Sequence, residues 1–492
     1  MSPSPDIEET SCSPRFLPAG IGDTEDLERY EPGGFHPVHL GDEYDGGRYK
    51  VIHKLGAGGF STVWLAQDLM RRHWVALKII LADESPSVET KTILSHRVAS
   101  QCSSDAVFVT YSRYFHIEGP NGRHLCLVLP VLGPSASRLS QYMDSRIEPW
   151  LARRASYQTA KALAGLTTAN IVFRVENFDR YTENDIYRLF GKPETGPLET
   201  ESGETPGAEA PRYIVKSLDF LSSETDLISN EISLIDFDQA FLASSPPEEM
   251  LATPIEYLAP EVAVGRAASP ASDVWALGCS IVRLRSGEGL FSAFDITSPA
   301  DLIRGIIQAL SDMPASWEDS LFDSDGQPTK DLAKGEAVWK FTDKRPFKDQ
   351  IYRIWDNPSN LSSKSTKSLM VNHIENVDQT LDWESHKPYP RCFSHKFWKP
   401  TAVEVGDAYL HGYDNESDNL LAPLPKISDH EAALLYDLLS QIFVYEPIER
   451  VKEKELLDHP WFHMDDSNRV WTRGVKKNIT QESGTMSKRS KS

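Results

Sequence analysis

The sequence predicts an α+β fold with two lobes, the first rich in antiparallel β-strands and the second mainly helical. Lys50–Leu55 is a short, partly alternating run that can form a strand, and Val75–Lys78 supplies a second apolar strand downstream. Ser272–Cys279 has the composition of a buried helix start. With 492 residues, of which 40% are hydrophobic, the chain has enough apolar material for a sizeable core.

A glycine-rich stretch, Gly56–Val63, lies between the two strands. Glycine lets the backbone fold sharply and present its N–H groups to phosphates without a Cβ in the way. Ser61 replaces the third glycine of the usual pattern, and such a stretch also occurs in ordinary hairpins. Lys78 favours a phosphate site, because a lysine inside an apolar strand is costly unless its ammonium meets anions.

Acidic and amide side chains further along the chain are candidates for the partner of that lysine and for metal ligands. Glu89 is the best candidate for a helix glutamate that pairs with Lys78, with Glu84 as an alternative and a solvated helix-face glutamate as the simplest interpretation. Asp236 closes the apolar run Ile232–Ile235. An aspartate after a strand is often only a turn residue; this one lies between Asn170 and the stretch Leu258–Glu261, and its role depends on the resemblance described next.

Taken in order, these elements resemble the eukaryotic protein kinases from about residue 48 to residue 463. Ala259–Glu261 matches the A-P-E element, and Pro130–Gly133 is a strand that breaks into a turn, as a hinge between lobes does. Gly33–Asp42 and Phe60–Ala66 are similar to the SR-protein kinase family, whose members phosphorylate serines of Arg/Ser-rich splicing factors.

The resemblance implies the two-lobed protein kinase fold, with ATP and Mg²⁺ as cofactors and Arg/Ser-rich proteins as partners. It implies that Asn170 and Asp236 hold the metal, that Asp273 holds the catalytic-loop backbone, and that Arg450 forms a buried ion pair with Glu261. The residues expected around ATP are Leu55, Gly56, Ala57, Gly58, Gly59, Val63, Ala76, Lys78, Leu132 and Val172.

The domain boundaries follow from the same resemblance. Residues 1–47 form an N-terminal extension, with 1–30 loose and 31–47 packed as an arm on the N-lobe. The N-lobe covers about 48–132 and the C-lobe about 133–463, followed by a disordered tail, 464–492. Two inserts are expected in the C-lobe. One lies between Asn170 and Asp236 and is disordered at about 191–212, where large apolar residues are scarce, and the other covers about 291–425.

The catalytic loop departs from the family pattern. Kinases carry H-R-D-L-x-x-x-N, in which the aspartate accepts the proton of the substrate hydroxyl. Counting back from Asn170, Gly165 stands where the catalytic aspartate belongs, and Leu163 stands where the histidine belongs. The sequence lacks the short strand and the histidine that precede this aspartate, as if roughly ten residues had been excised. Asp238 also replaces the glycine of the D-F-G motif.

Three hypotheses account for this gap. In the first hypothesis, the true product is an active enzyme, and a short exon or a misplaced gene-model boundary has removed the segment from this sequence. The chain can instead be a pseudokinase that binds ATP or SR-type partners without catalysis. The third hypothesis is a kinase with another base, although no aspartate is placed for that role. The expected function is therefore a serine/threonine protein kinase by resemblance, with the pseudokinase as the alternative.

Composition narrows the expected partners. The formal net charge of −21 disfavours nucleic-acid binding and suits an Arg-rich partner, although acidity alone also serves solubility. The 5 cysteines form no C-x-x-C pair, which indicates a reducing compartment and no structural zinc. No apolar run is long enough to span a bilayer. We therefore expect a monomer of the cytoplasm and nucleus.

Overall fold

The structure is a computed structural model of the chain. The structure describes residues 14–90 except 19 and 23, 107–140, 146–162, 170–236 except 224, 253–291, 296–338 except 318, 344–354 and 426–464. It also describes 241, 356 and the pairs 397–398, 404–405 and 408–409. Gly165, Asp238 and the tail from 465 onward, for which the sequence made predictions, lie outside these residues.

The N-lobe is built on a six-stranded antiparallel sheet. Its strands, in spatial order, are β1 (Glu43–Tyr44), β2 (Tyr49–Gly58), β3 (Ser61–Asp68), β4 (His73–Ile80), β6 (Gly122–Leu129) and β5 (Arg113–Gly119). The predicted strands at 50–55 and 75–78 lie within β2 and β4. In the β2–β3 hairpin Gly58 is opposite Ser61, so Gly59 and Phe60 form the turn.

A second, separate sheet of three strands is formed by residues that follow the N-lobe sheet in the chain. Its order is β12 (Ile228–Leu234), β9 (Ile171–Val175) and β7 (Leu132–Ser135). Strand β7 begins three residues after β6 ends, where the sequence predicted the hinge. The shorter strands are β8 (Arg146–Ile147), β10 (Thr195–Pro197), β11 (Tyr213–Val215), β13 (Leu321–Phe322), β14 (Pro328–Thr329), β15 (Glu336–Ala337), β16 (Phe397–Trp398), β17 (Glu404–Val405) and β18 (Ala408–Tyr409).

The C-lobe is mainly helical, so the predicted α+β class is confirmed. The described helices are α1 (Ala136–Ser140), α2 (Pro149–Ala162), α3 (Glu183–Phe190), α4 (Pro260–Ala263), α5 (Pro270–Ser286), α6 (Pro299–Ala309), α7 (Phe347–Tyr352), α8 (Asp429–Ile442) and α9 (Glu453–Leu456). Helix α5 packs against α2. Among the described residues, no helix has both the length and the apolar character needed to cross a membrane.

Local sequence signals explain the limits of helix α5, which contains the predicted helix 272–279. Ser269 and Ser272 form a capping box at its start, and Pro270 occupies the first turn, where a missing N–H costs nothing. Gly287 ends the helix in the left-handed region at φ 81° and donates its N–H to the carbonyl of Arg283. Trp275 is fully buried and stacks on Phe291 at 5.6 Å between ring centroids.

The crossing segment, which we define as residues 176–227, leaves the sheet of the C-lobe and packs against the N-lobe. Its helix α3 places Glu183 3.1 Å from Lys50 Nζ on β2. Further along, the N–H of Leu218 donates to the carbonyl of Lys54 at 2.8 Å, and the hydroxyl of Tyr213 accepts from the N–H of Leu40 at 3.0 Å. The crossing segment therefore connects the C-lobe to the N-lobe at a second place, in addition to the hinge.

The structure differs from the disorder expected at about 191–212 and from the loose packing expected for residues up to 30. Strands β10 and β11 pair, and Leu198 and Ala210 are buried in one cluster with Phe16 and Tyr30. The composition of 191–212 is poor in apolar residues, but these few side chains find their partners in a distant part of the chain. Composition within a segment cannot reveal such partners.

Candidate functional site

The glycine-rich turn lies at the tip of the β2–β3 hairpin. A Cβ at Gly56, Gly58 or Gly59 would meet no atom within 4 Å among the described residues. All the positive-φ residues lie elsewhere in the chain, so no left-handed backbone demands glycine here either. Neither packing nor backbone strain therefore explains these glycines. Close approach of a ligand to the backbone is the role that the sequence predicts for them.

Lys78, Val63 and Ala76 lie on the same face of the N-lobe sheet. Val63 is directly opposite Lys78 in the β3–β4 register, and Ala76 is two residues from Lys78 along β4. Opposed residues and alternate residues of a strand share a face. Two small apolar side chains thus lie beside the lysine on this face, as the binding of a flat ring requires.

Strands β9 and β12 bring the two predicted metal ligands together. Leu234 pairs with Ile171, and beyond this pair the N–H of Ile235 donates to the carbonyl of Asn170 at 3.0 Å. Asp236 follows at φ 66°, a left-handed conformation that is uncommon for a residue other than glycine. Backbone strain of this kind clusters at functional sites.

Lys78 and Asp236 connect the two sheets. The Nζ of Lys78 lies 2.6 Å from the Oδ1 of Asp236, although the two residues are far apart in sequence. The carboxylate is 44% exposed and the lysine side chain is 17% exposed. Lys78 can therefore offer a positive charge to phosphate oxygens at the same place where Asp236 offers carboxylate oxygens to a divalent ion.

The predicted pairing of Lys78 with Glu89 is not formed in the structure. Glu89 lies in the helical residues 85–90, and its Oε2 is 3.2 Å from Nε2 of His116 on β5. The physical reason is the rotation of this helix. Val88 is buried against Ile80 and the β6 residues, so Glu89, which is the next position around the helix, faces the β5 edge.

The remaining residues expected around ATP lie on β2, β7 and β9 or in the turn after β2. Leu55 is half-buried near the end of β2, next to Gly56 and Ala57. Leu132 is half-buried on β7 and pairs with Arg174, while Val172 is buried on β9 and pairs with Ser135.

The structure forms the ion pair expected between Glu261 and Arg450. Two bonds join the groups, from Nη1 to Oε1 at 3.0 Å and from Nη2 to Oε2 at 2.9 Å, and both side chains are almost completely buried. The hydroxyl of Ser272 donates to the same carboxylate at 2.7 Å. Removing either partner would leave an uncompensated buried charge.

The segment that would contain the catalytic base lies outside the described residues. Helix α2 ends at Ala162, and Asn170 is the next described residue. Gly165 therefore remains a prediction from sequence alone. Asp273 lies in the first turn of α5, and its proposed contact with the catalytic-loop backbone also stays a prediction.

Sequence reasoning missed a second lysine on the N-lobe sheet. Lys54 lies on β2 opposite Trp64, so it is on the face away from Lys78, and its ammonium bonds the carboxylate of Glu25. Burial lowers the pKa of Lys54, while the Glu25 charge counteracts part of that shift. Tyr30 donates its hydroxyl to Glu25 at 2.5 Å, and burial raises the pKa of that phenol. The argument that a lysine in an apolar strand needs an anion applied equally to Lys54.

Comparison with known proteins shows the following similarities. A family model described as a protein kinase domain matches residues 216–462. SRSF protein kinase 3 of Homo sapiens is 40% identical over 132 residues, which are 24% of this chain and 23% of that protein. Protein kinase dsk1 of Schizosaccharomyces pombe is 37% identical over 145 residues, covering 28% and 27% of the two chains.

A longer match extends to a slime-mould protein. Serine/threonine-protein kinase SRPK of Physarum polycephalum is 26% identical over 363 residues, which are 65% of this chain and 82% of that protein. The first relatives are matched over only about a quarter of their own length. The recurrent similarity is to kinases of SR proteins, as the motifs at 33–42 and 60–66 predicted.

Proposed function

This chain belongs to the protein kinase family and is SR-protein kinase-like, and we propose that it binds Mg-ATP and acts as a serine/threonine kinase on Arg/Ser-rich proteins. By resemblance to the SR-protein kinase family, the proposed role of this phosphorylation is the regulation of mRNA splicing. The observation that carries the proposal is the bond between Lys78 and Asp236, on the sheet face that also carries Val63 and Ala76.

The donor set fits the groups that the proposal requires. Lys78 offers a point charge to phosphate oxygens, and the turn at Gly58–Ser61 has room for them. Asp236 and Asn170 would hold Mg²⁺, and the bound ion would neutralise charge that develops on the transferred phosphoryl group. The carboxylate of Asp236 also holds the ammonium of Lys78, so this chain orients its own phosphate-binding cation before a ligand arrives.

Catalysis depends on the segment between Ala162 and Asn170. Phosphoryl transfer consists mostly of positioning and electrostatic stabilisation, so the loss of the oriented aspartate lowers the rate by about 10²–10⁴-fold without removing nucleotide binding. Displacement of Asn170 by an ångström would cost roughly another 10²-fold. A nucleotide-binding pseudokinase is therefore the second candidate function, and the residue at Gly165 favours it.

The proposed substrate class rests on charge and on the relatives. The printed name of the human relative is SRSF protein kinase 3, and the net charge of this chain is −21. An acidic protein attracts an arginine-rich peptide through long-range fields.

Two forms of the protein test the proposal, the chain as given and a repaired chain in which residues 163–169 are replaced by a strand and an H-x-D-L segment. We expect Mg-ATP to raise the thermal midpoint of both, with the response lost in Lys78→Met. Phosphate transfer to an Arg/Ser-repeat peptide should be nearly absent in the given chain and restored by repair. A folded wild-type protein without any Mg-ATP response would refute the nucleotide site.

A repaired chain that binds Mg-ATP but stays inactive would support the pseudokinase hypothesis. Sequencing the transcript across Leu163–Thr168 separates the remaining alternatives, because a transcript that encodes an H-x-D-L stretch identifies the given chain as a shortened form. Strong transfer by the unrepaired chain, abolished in Lys78→Met, would contradict our interpretation of the Leu163–Asn170 segment.

A further inference from the structure

The tip of the glycine-rich hairpin is held by a residue from the N-terminal extension. Arg29 ends the short 3-10 helix Leu27–Arg29, and its Nη1 donates to the carbonyl of Gly59. The same guanidinium lies 5.8 Å from the ring centroid of Phe60, which is the other residue of the turn. Both turn residues are therefore in contact with one arginine side chain.

The backbone of Arg29 is held by hydrogen bonds, so its side chain can hold the turn. Its own carbonyl accepts the N–H of Phe35 at 2.8 Å, and Phe35 is buried in the cluster with Tyr30. Two residues of the same extension reach the N-lobe, since Glu25 bonds Lys54 on β2 and the carbonyl of Gly34 accepts the N–H of Ala82, just after β4, at 3.1 Å. The segment that carries Arg29 is therefore bonded to the N-lobe at two places.

The direction of this contact matters for the backbone of the turn. The extension packs on the sheet face of Lys54, which is opposite the face of Lys78. In a trans peptide the carbonyl and the following N–H point in opposite directions. Because Arg29 captures the carbonyl of Gly59, the N–H of Phe60 points away from Arg29, towards the side of the sheet that carries Lys78.

We propose that Arg29 is a positioning residue that holds the Gly59–Phe60 peptide with its N–H directed at the phosphates of the bound nucleotide. The carbonyl of Phe60 is fixed separately, by the N–H of Leu81 at 3.0 Å. Arg29 thus sets the orientation of the one peptide unit at the tip of the turn. The inference rests on the proposed function and deepens it, because it assigns control of the phosphate-binding turn to the extension.

The test measures Mg-ADP affinity by calorimetry and hydrogen exchange of residues 56–61 without nucleotide, using the full chain. Arg29→Ala should weaken Mg-ADP binding roughly two- to tenfold, as the loss of one hydrogen bond does, and should speed exchange in the turn. Arg29→Lys retains a cationic donor and should recover part of both effects. Arg123→Ala is the matched control, since it removes an exposed arginine that contacts Glu118 on the distant β5–β6 hairpin.

The outcomes separate this inference from the proposed function. A wild-type protein that binds no Mg-ADP overturns the proposed function. A wild-type protein that binds Mg-ADP, beside an Arg29→Ala variant with unchanged affinity and unchanged exchange, overturns the inference alone. Equal weakening by Arg29→Ala and Arg123→Ala also overturns it, because the effect would then follow from net charge.

Discussion

Lys54 and Lys78 show how differently two lysines of one sheet are used. Lys54 has no exposed surface, and its partner Glu25 is also buried, so this pair is cut off from ligands. Lys78 and Asp236 keep part of their surface open. Burial therefore separates a structural ion pair from a pair that can accept a ligand, although both lysines occupy apolar strands.

Glu25→Gln should lower the free energy of unfolding at pH 7 by about 3–5 kcal/mol, because it leaves the ammonium of Lys54 buried without a counter-ion. The control is Glu31→Gln, which removes an exposed carboxylate from the same extension. Urea unfolding measures both. Equal stability of the Glu25→Gln variant and the wild type would contradict the role of the buried pair.

The same substitution predicts a pH dependence. The pKa of Lys54 is already below its ordinary value of 10.5 in the folded protein, and losing Glu25 lowers this pKa further. Between the folded and unfolded pKa values the unfolded chain binds more protons, so stability rises with pH. The stability gap between Glu25→Gln and the wild type should therefore narrow as the pH rises from 7 towards 10.5, and a constant gap would count against this assignment.

At the scale of elements, the crossing segment and the N-terminal extension stabilise each other. Ile214 on β11 is buried with Phe16, Tyr30 and Leu198 in a cluster that belongs to neither lobe alone. This arrangement predicts that the two segments lose their order together, because each covers the apolar side chains of the other.

Ile214→Ala should cost about 2–5 kcal/mol of stability, as truncation of a buried isoleucine does. Hydrogen exchange should speed up both in residues 195–215 and in residues 15–35. The control is Ile448→Ala, since Ile448 is 91% exposed. Loosening confined to 195–215 would show that the extension is held independently.

The sequence predicted the elements around the glycine-rich turn, Asp236 and helix α5 because their signals are local. The glycines and apolar runs predict β2, β4 and β12, and the capping serines of α5 follow the same logic. The prediction that Glu89 pairs with Lys78 was wrong because a shift of one helical position turns a side chain by about 100°. The contact of Arg29 with Gly59 joins residues that no local pattern connects, so it required the structure.

At the scale of the whole molecule, the net charge of −21 predicts salt-sensitive association with an arginine-rich partner. An Arg/Ser-repeat peptide should bind about tenfold more weakly at 0.5 M than at 0.05 M NaCl, because the screening length falls from more than ~10 Å to less than ~8 Å. Fluorescence anisotropy would measure the affinity. A matched Gln/Ser-repeat peptide should show little salt dependence, and an equally insensitive Arg/Ser peptide would contradict the electrostatic model.

The packing of Val215, on β11, against the N-lobe has a consequence for synthesis on the ribosome. Val215 belongs to the same apolar cluster as Val51, Leu77 and Val128, yet it is translated long after them. At about 5–20 residues per second, the nascent N-lobe waits roughly 4–17 s for the side chain that completes its core. During that interval apolar surface stays exposed, so the emerging chain is a client for chaperones, and an N-lobe fragment that ends at the hinge lacks part of its own interior.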